Sequence, residues 1–204
     1  MDKDIFDKFF SVYEPASKMP SAQALAHFCM KTDSNPEADQ KIQNILSKET
    51  FRIKPGRKKE TFGERKRIEA AADTDAIIKI MRGHTDTLNQ SILINRALSY
   101  EDEIVPELIG MLKTSLNSGF IEIAARVLAK STKDIADELI ACFDEIKNPY
   151  AQSILLVVLG YKADETRVPW VIGRYKELKR LYPGESYCDG AYYALFEMQS
   201  RFCH

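Results

Sequence analysis

At 204 residues and 23.2 kDa, the chain is long enough for one core that needs neither disulfide nor metal to hold it. It is 45% hydrophobic and 29% charged, with nine glycines and eight prolines, which excludes disordered, collagen-like and fibrous classes. Its 29 bases against 30 acids, a net charge of −1, exclude a nucleic-acid footprint along the whole chain.

The chain opens Met1-Asp2-Lys3-Asp4, with a further acid at Asp7, and lacks the basic start and apolar run of a signal peptide. The longest uncharged apolar run, Ile154 to Tyr161, falls far short of the roughly 18–20 residues of a membrane span. Cys29, Cys142, Cys188 and Cys203 form no C-x-x-C pair and read as reduced thiols. The expectation is a cytoplasmic protein with no membrane partner.

Residues 1–50 show helical periodicity in three short stripes. Ile5, Phe6, Phe9, Phe10 and Tyr13 form the first, Leu25, Phe28 and Cys29 the second, Ile42, Ile45 and Leu46 the third. They are expected to form an N-terminal helical cap folded onto the first of the repeats that follow.

Residues 51–72 are a basic connector and leading helix. Arg52, Lys54, Arg57, Lys58, Lys59, Arg65, Lys66 and Arg67 face only Glu60 and Glu64 up to position 67, a local net of +6, while residues 68–204 carry −5. The turn chemistry of Lys54-Pro55-Gly56-Arg57 predicts an exposed loop. Such a segment either contacts phosphates of a nucleic acid or other polyanion, or is a solvated connection.

From Asp73 the chain repeats. Ile78, Ile109, Ile140 and Ile172 fall at steps of 31, 31 and 32, and Leu98, Leu128 and Leu159 at 30 and 31; Leu195 comes 36 later, after the longer turn Tyr182–Ser186. Self-similarity at this period signals stacked helical hairpins. Asp73 or Thr74 caps the first helix, which ends near Gly83. Asn117-Ser118-Gly119 and Asn148-Pro149 separate the next helices, and Pro106 and Pro169 are expected in first turns.

Phe120-Ile121-Glu122-Ile123-Ala124-Ala125-Arg126-Val127-Leu128 and Gln152-Ser153-Ile154-Leu155-Leu156-Val157-Val158-Leu159-Gly160 resemble the second helix of a HEAT-like repeat. The family's early arginine is Ile121 in one unit and Gln152 in the next. The resemblance covers about residues 73–200. It implies an all-α fold, an α-α superhelix of about four helical hairpins over residues 73–204 in a single compact domain.

In such solenoids the second helices line the face that partners meet. Two and six residues before each reference leucine stand Arg96, Arg126, Val157 and Tyr193, and Ile92, Glu122, Ser153 and Asp189. From these, Arg96, Glu122, Arg126, Ser153, Asp189 and Tyr193 are the candidate partner-binding residues, with Arg126 and Glu122 one turn apart and able to pair. The last unit is rich in rings: Trp170, Tyr175, Tyr182, Tyr187, Tyr192, Tyr193, Phe196 and Phe202. These are either core packing or interface anchors.

Catalytic and metal patterns are absent: no H-E-x-x-H, C-x-x-C, G-x-S-x-G or Walker loop occurs. His27 and Cys29 lie on different helix faces, His84 sits in a turn, Cys142 reads as core, and Cys203-His204 is terminal. No cofactor or metal site is expected. Some bacterial HEAT-like proteins are DNA glycosylases, which implies a basic groove with tryptophans and a catalytic aspartate; one tryptophan and a net of −1 depart from that. The leading expectation is a non-catalytic protein- or peptide-binding scaffold. The alternative is a nucleic-acid-binding accessory using residues 52–67.

Overall fold

The computed structural model describes residues 4–15, 55–86 and 89–203, and the side chains of the second helix from Lys59 on. Ten α-helices and no strand occur among the described residues. They are α1 (Asp4–Phe10), α2 (Pro55–Ala70), α3 (Thr74–Met81), α4 (Gln90–Leu98), α5 (Glu101–Leu112), α6 (Ser118–Lys130), α7 (Ala136–Cys142), α8 (Pro149–Lys162), α9 (Val168–Leu181) and α10 (Asp189–Phe202). No described helix is long and apolar enough to cross a membrane.

Local chemistry sets many of these boundaries. The Asp73 carboxylate accepts from Ala76 N at 2.8 Å and starts α3. Asn117 and Asn148 do the same for α6 and α8, accepting from Phe120 N at 3.1 Å and Tyr150 N at 3.0 Å. Each cap satisfies a donor that has no partner inside the helix. Pro149 follows Asn148 at the first helical position, where its fixed φ suits the helix and its missing N–H leaves nothing unmade. Pro169 lies in the first turn of α9 as expected, but Pro106 is the sixth residue of α5. The acidic run Glu101-Asp102-Glu103 begins that helix a turn early, favoured by the positive end of its dipole.

Neighbouring helices pair as α3–α4, α5–α6, α7–α8 and α9–α10. The second members also form a row in which α2 packs on α4, α4 on α6, α6 on α8 and α8 on α10. The reference leucines Leu128, Leu159 and Leu195 are fully buried in this row, and Leu98 is half-buried. Helix α8 is its centre: every residue from Ser153 to Gly160 is buried, as an all-round apolar helix must be.

Helices α8 and α10 cross closely because glycines allow it. A Cβ on Gly190 would lie 1.8 Å from the Ser153 carbonyl oxygen, and one on Gly160 would lie 2.8 Å from the Ala194 Cα. The Gly190 N–H donates to Ser153 Oγ at 3.2 Å across the same crossing.

Two expectations are corrected here. The basic segment is not a loop: Pro55 opens α2, and the helix runs through Arg57, Lys58, Lys59, Arg65, Lys66 and Arg67 to Ala70. A proline followed by a glycine serves a turn or a helix start equally well, and the helix formers that follow decide for the helix. Nor does the N-terminal stripe fold onto the first repeats. Phe9 stacks edge-on against Tyr175 of α9 at 4.9 Å, and Phe10 against Tyr192 of α10 at 5.2 Å. The Tyr175 hydroxyl donates to the Glu14 carbonyl at 3.4 Å. The described part of the cap thus packs on the last pair, against rings of α9 and α10. The second and third stripes, with Arg52 and Lys54, lie outside the described residues.

Candidate functional site

The partner-binding column is woven into contacts between units. Arg96 donates through Nε to the Ala71 carbonyl at 2.9 Å, and its guanidinium lies 5.2 Å over the Tyr100 ring. Arg126 donates to Gln90 Oε1 at 2.6 Å, and Glu122 accepts from the Tyr150 hydroxyl at 2.6 Å. Each of the two reaches a neighbouring row helix. Ser153 and Asp189 are buried at the α8–α10 crossing, and Tyr193 is half-buried with its ring edge-on to Tyr192 at 5.6 Å. Burial pushes the Tyr193 phenol above its ordinary range.

These contacts belong to a ladder that recurs along the chain. The Asn117 amide donates to the Arg82 carbonyl at 3.0 Å, and the Asn148 amide to the Ser115 carbonyl at 3.1 Å. One side chain thereby starts its own helix and ties it to the preceding unit. Asn89, before α4, supplies only the tie: its amide donates to the Thr61 carbonyl at 2.9 Å and Glu64 Oε2 at 2.7 Å, and its side chain makes no capping hydrogen bond. The carboxyl ends of row helices receive cations: Arg96 at Ala71 after α2, Lys162 at Ser131 after α6, and Arg201 at Ala163 (3.1 Å) after α8. A cation there meets carbonyls without helical partners and the negative end of the dipole. Burial lowers the Lys162 ammonium from its ordinary range. Sequence reading missed Asn89, Lys162 and Arg201 in this role, although an asparagine at 89, 117 and 148 was a usable signal.

The leading helices are tied by ion pairs at similar spacing. Lys113 meets Glu145 at 3.0 Å, Arg167 meets Asp137 at 2.6 Å, Arg174 meets Asp144 at 2.8 Å, and Lys133 pairs with Asp102. The Lys113 and Lys133 ammonium groups are raised chiefly by the hydrogen bonds they donate to Glu145 and Asp102. Glu101 is lowered chiefly by the hydrogen bonds it accepts from the Thr132 hydroxyl and N–H.

The aromatic C-terminal unit divides. Tyr175 is fully buried, its phenol pushed well above the ordinary range by desolvation and by the Cys188 and Asp189 groups nearby. Trp170 packs edge-on against Phe143 at 5.2 Å beneath the Arg174 guanidinium, while Phe196 stays half exposed. Cys142 and Cys188 are buried thiols raised by desolvation, and Cys142, Cys188 and Cys203 are free. Among the described residues no cluster of His, Cys, Asp or Glu is arranged to hold a metal ion.

Helix α2 presents one buried face, Thr61, Glu64 and Ile68, continued by Ala71 just past its end, and leaves Lys59, Lys66 and Arg67 exposed. Arg65 is held by Glu69 at 2.9 Å. Since α2 packs on α4, a gap remains against α3, a cleft of about 640 Å³. From α2 and its end it takes Glu64, Arg67 and Ala71, which follow one helical stripe; from α3 and its end come Ala76, Lys79, Ile80 and Gly83, which follow another. His84 closes one end, and beyond it a second cleft of about 270 Å³ shares Glu64, Arg67 and His84.

The floor of the larger cleft is apolar and its rim basic. Its one carboxylate, Glu64, accepts from Asp86 N at 2.9 Å and from Asn89. No described residue forms an ion pair or hydrogen bond with the side chains of Arg67, Lys79 or His84. Of these, the sequence reading had singled out only Arg67 as a candidate binding residue; Lys79, a charge in the apolar run Ala76-Ile77-Ile78-Lys79-Ile80-Met81, was the available signal.

The fold and these surfaces define an all-α protein of serially packed helical pairs. No protein-family model, curated protein or solved structure matches the chain.

Proposed function

We propose that the protein is a non-catalytic binding scaffold, a short α-solenoid of HEAT-like hairpins acting in the cytoplasm. The observation that carries this reading is the recurrence of one tie between successive units, the Asn117 and Asn148 caps, each reaching back to the end of the preceding pair's leading helix. Repeat proteins built from such nearest-neighbour contacts hold extended surfaces rigid, and their usual work is to present those surfaces to a protein or peptide. The free thiols support a reducing compartment. Two accessible surfaces qualify: the half-exposed edge of Glu122, Arg126 and Tyr193, and the cleft between α2 and α3.

A photo-reactive residue placed in turn at Lys79, Asn95, Glu122 and Ser200, followed by irradiation in native lysate, tests the reading. The expected result is one reproducible cross-linked protein from one contiguous group of positions. A chain that gives no specific adduct from any of them, or that releases bases from alkylated DNA, contradicts it.

A further inference from the structure

We propose that the cleft between α2 and α3 binds an acidic peptide segment, with an apolar side chain on the Ala71–Ala76–Ile80 floor and carboxylates on Arg67 and Lys79. The inference rests on the scaffold reading and names the site and its partner chemistry.

Three observations converge on it. The cleft, about 640 Å³, is of the size that takes a few side chains of a ligand. Its floor offers small apolar groups, so an inserted side chain removes apolar surface from water on both partners. Its rim offers two cations with no anionic partner among the described residues, while Arg65, Lys113, Lys133, Arg167 and Arg174 are each already held by a carboxylate. A carboxylate brought to Arg67 or Lys79 therefore displaces no existing pair. It gains charge-assisted hydrogen bonds, bidentate in the case of Arg67.

Charge also chooses between a peptide and a nucleic acid. Residues 59–86, which build both walls, contain six Lys or Arg and six Asp or Glu. A strand of phosphates laid along α2 would meet Glu60 and Glu69 as well as Lys59 and Lys66, both acids being exposed. A polyanion needs a continuous basic track, whereas one or two carboxylates need only the discrete cations of this rim.

The test uses the full chain and a library of octapeptides in which one leucine, isoleucine or phenylalanine is flanked by Asp or Glu at every spacing. A matched library with Asn and Gln and a short single-stranded oligonucleotide serve as competitors. The expected result is selective binding of acidic peptides, weakened at least about tenfold by Arg67→Glu or Lys79→Glu and more gently by the Gln variants. Lys176→Glu, an exposed charge change on α9, leaves it unchanged. All of these side chains are on the surface, so unaltered thermal unfolding separates lost binding from lost fold.

The inference is overturned if acidic and amide peptides bind equally or not at all, or if the rim variants have no effect. It is also overturned if the oligonucleotide competes at the same rim, or if those variants instead abolish self-association. Should the peptides fail while cross-links persist at Glu122 or Ser200, the scaffold reading survives and this inference does not.

Discussion

The two ends of the helix row are built on opposite terms. At the α8–α10 end, Gly190 and Gly160 bring backbones together, Ser153 through Gly160 are buried, and Arg201 meets the end of α8. Even the N-terminal helix is used there, sealing Tyr175 under Phe9. At the α2–α4 end, buried polar groups sit beside the apolar Ile68 and Ala71. Thr61, Glu64 and Asn89 are buried together, and Thr85 Oγ1 and Asn89 Oδ1 find no hydrogen-bond partner among the described residues. Each such group costs about 1–3 kcal/mol relative to a satisfied one. The same end carries the cleft with the uncommitted basic rim. Dense and looser packing are thus separated along one chain, and on the proposed reading the looser end is the one that meets a partner.

The sharpest way to break that contrast is at the dense end. Gly190→Ala drives a methyl group into the Ser153 backbone, which no side-chain rotation relieves. It is expected to cost about 3 kcal/mol or more, read as a lowered urea midpoint. An unaffected midpoint means the crossing is not close.

Next in size is Phe9→Ala, which empties a nearly buried ring site against Tyr175 and Tyr13. A loss of about 2–4 kcal/mol, with new proteolytic cleavage after α1, is the expected outcome. A neutral result removes α1 from the C-terminal end.

A smaller effect tests the ladder. Asn148→Ala takes away a cap and strands the Ser115 carbonyl, at a cost of about 1–2 kcal/mol in thermal unfolding. Asn117→Ala should match it within a few tenths if the two ties are equivalent. Unequal losses mean that the repetition is one of sequence and not of energy.

The smallest effect has the opposite sign and belongs to the loose end. Gly63 is exposed on α2, and a Cβ there meets nothing within 4 Å. Gly63→Ala is expected to stabilise by about 0.5–1 kcal/mol through helix propensity alone, raising the melting temperature slightly. A destabilisation shows that α2 packs against more than α4.

The sequence made the paired helices legible where their signals are local. Asp73, Asn117 and Asn148 cap the helices they precede, Pro149 opens α8, and Leu128, Leu159 and Leu195 of the leucine register sit in the core. It hid what depends on distance. Nothing near Phe9 announces a ring 166 positions later, because the contact exists only after the last pair has folded. The candidate site was least legible. Arg96 and Arg126 read as exposed cations on a shared column, yet each finds an acceptor on a neighbouring helix that no spacing rule identifies. Lys79 and His84 were unremarkable until α2 was seen to pack on α4 and leave the gap beside them.

Native-state hydrogen exchange, read helix by helix, tests the central contrast most directly. Amides open with free energies that follow local burial, so α8 and the part of α10 crossing it are predicted to exchange last, and α2 and α3 first among the repeat helices. Protection that is uniform along the row, or greatest in α2, would contradict the separation of a dense end from a looser one.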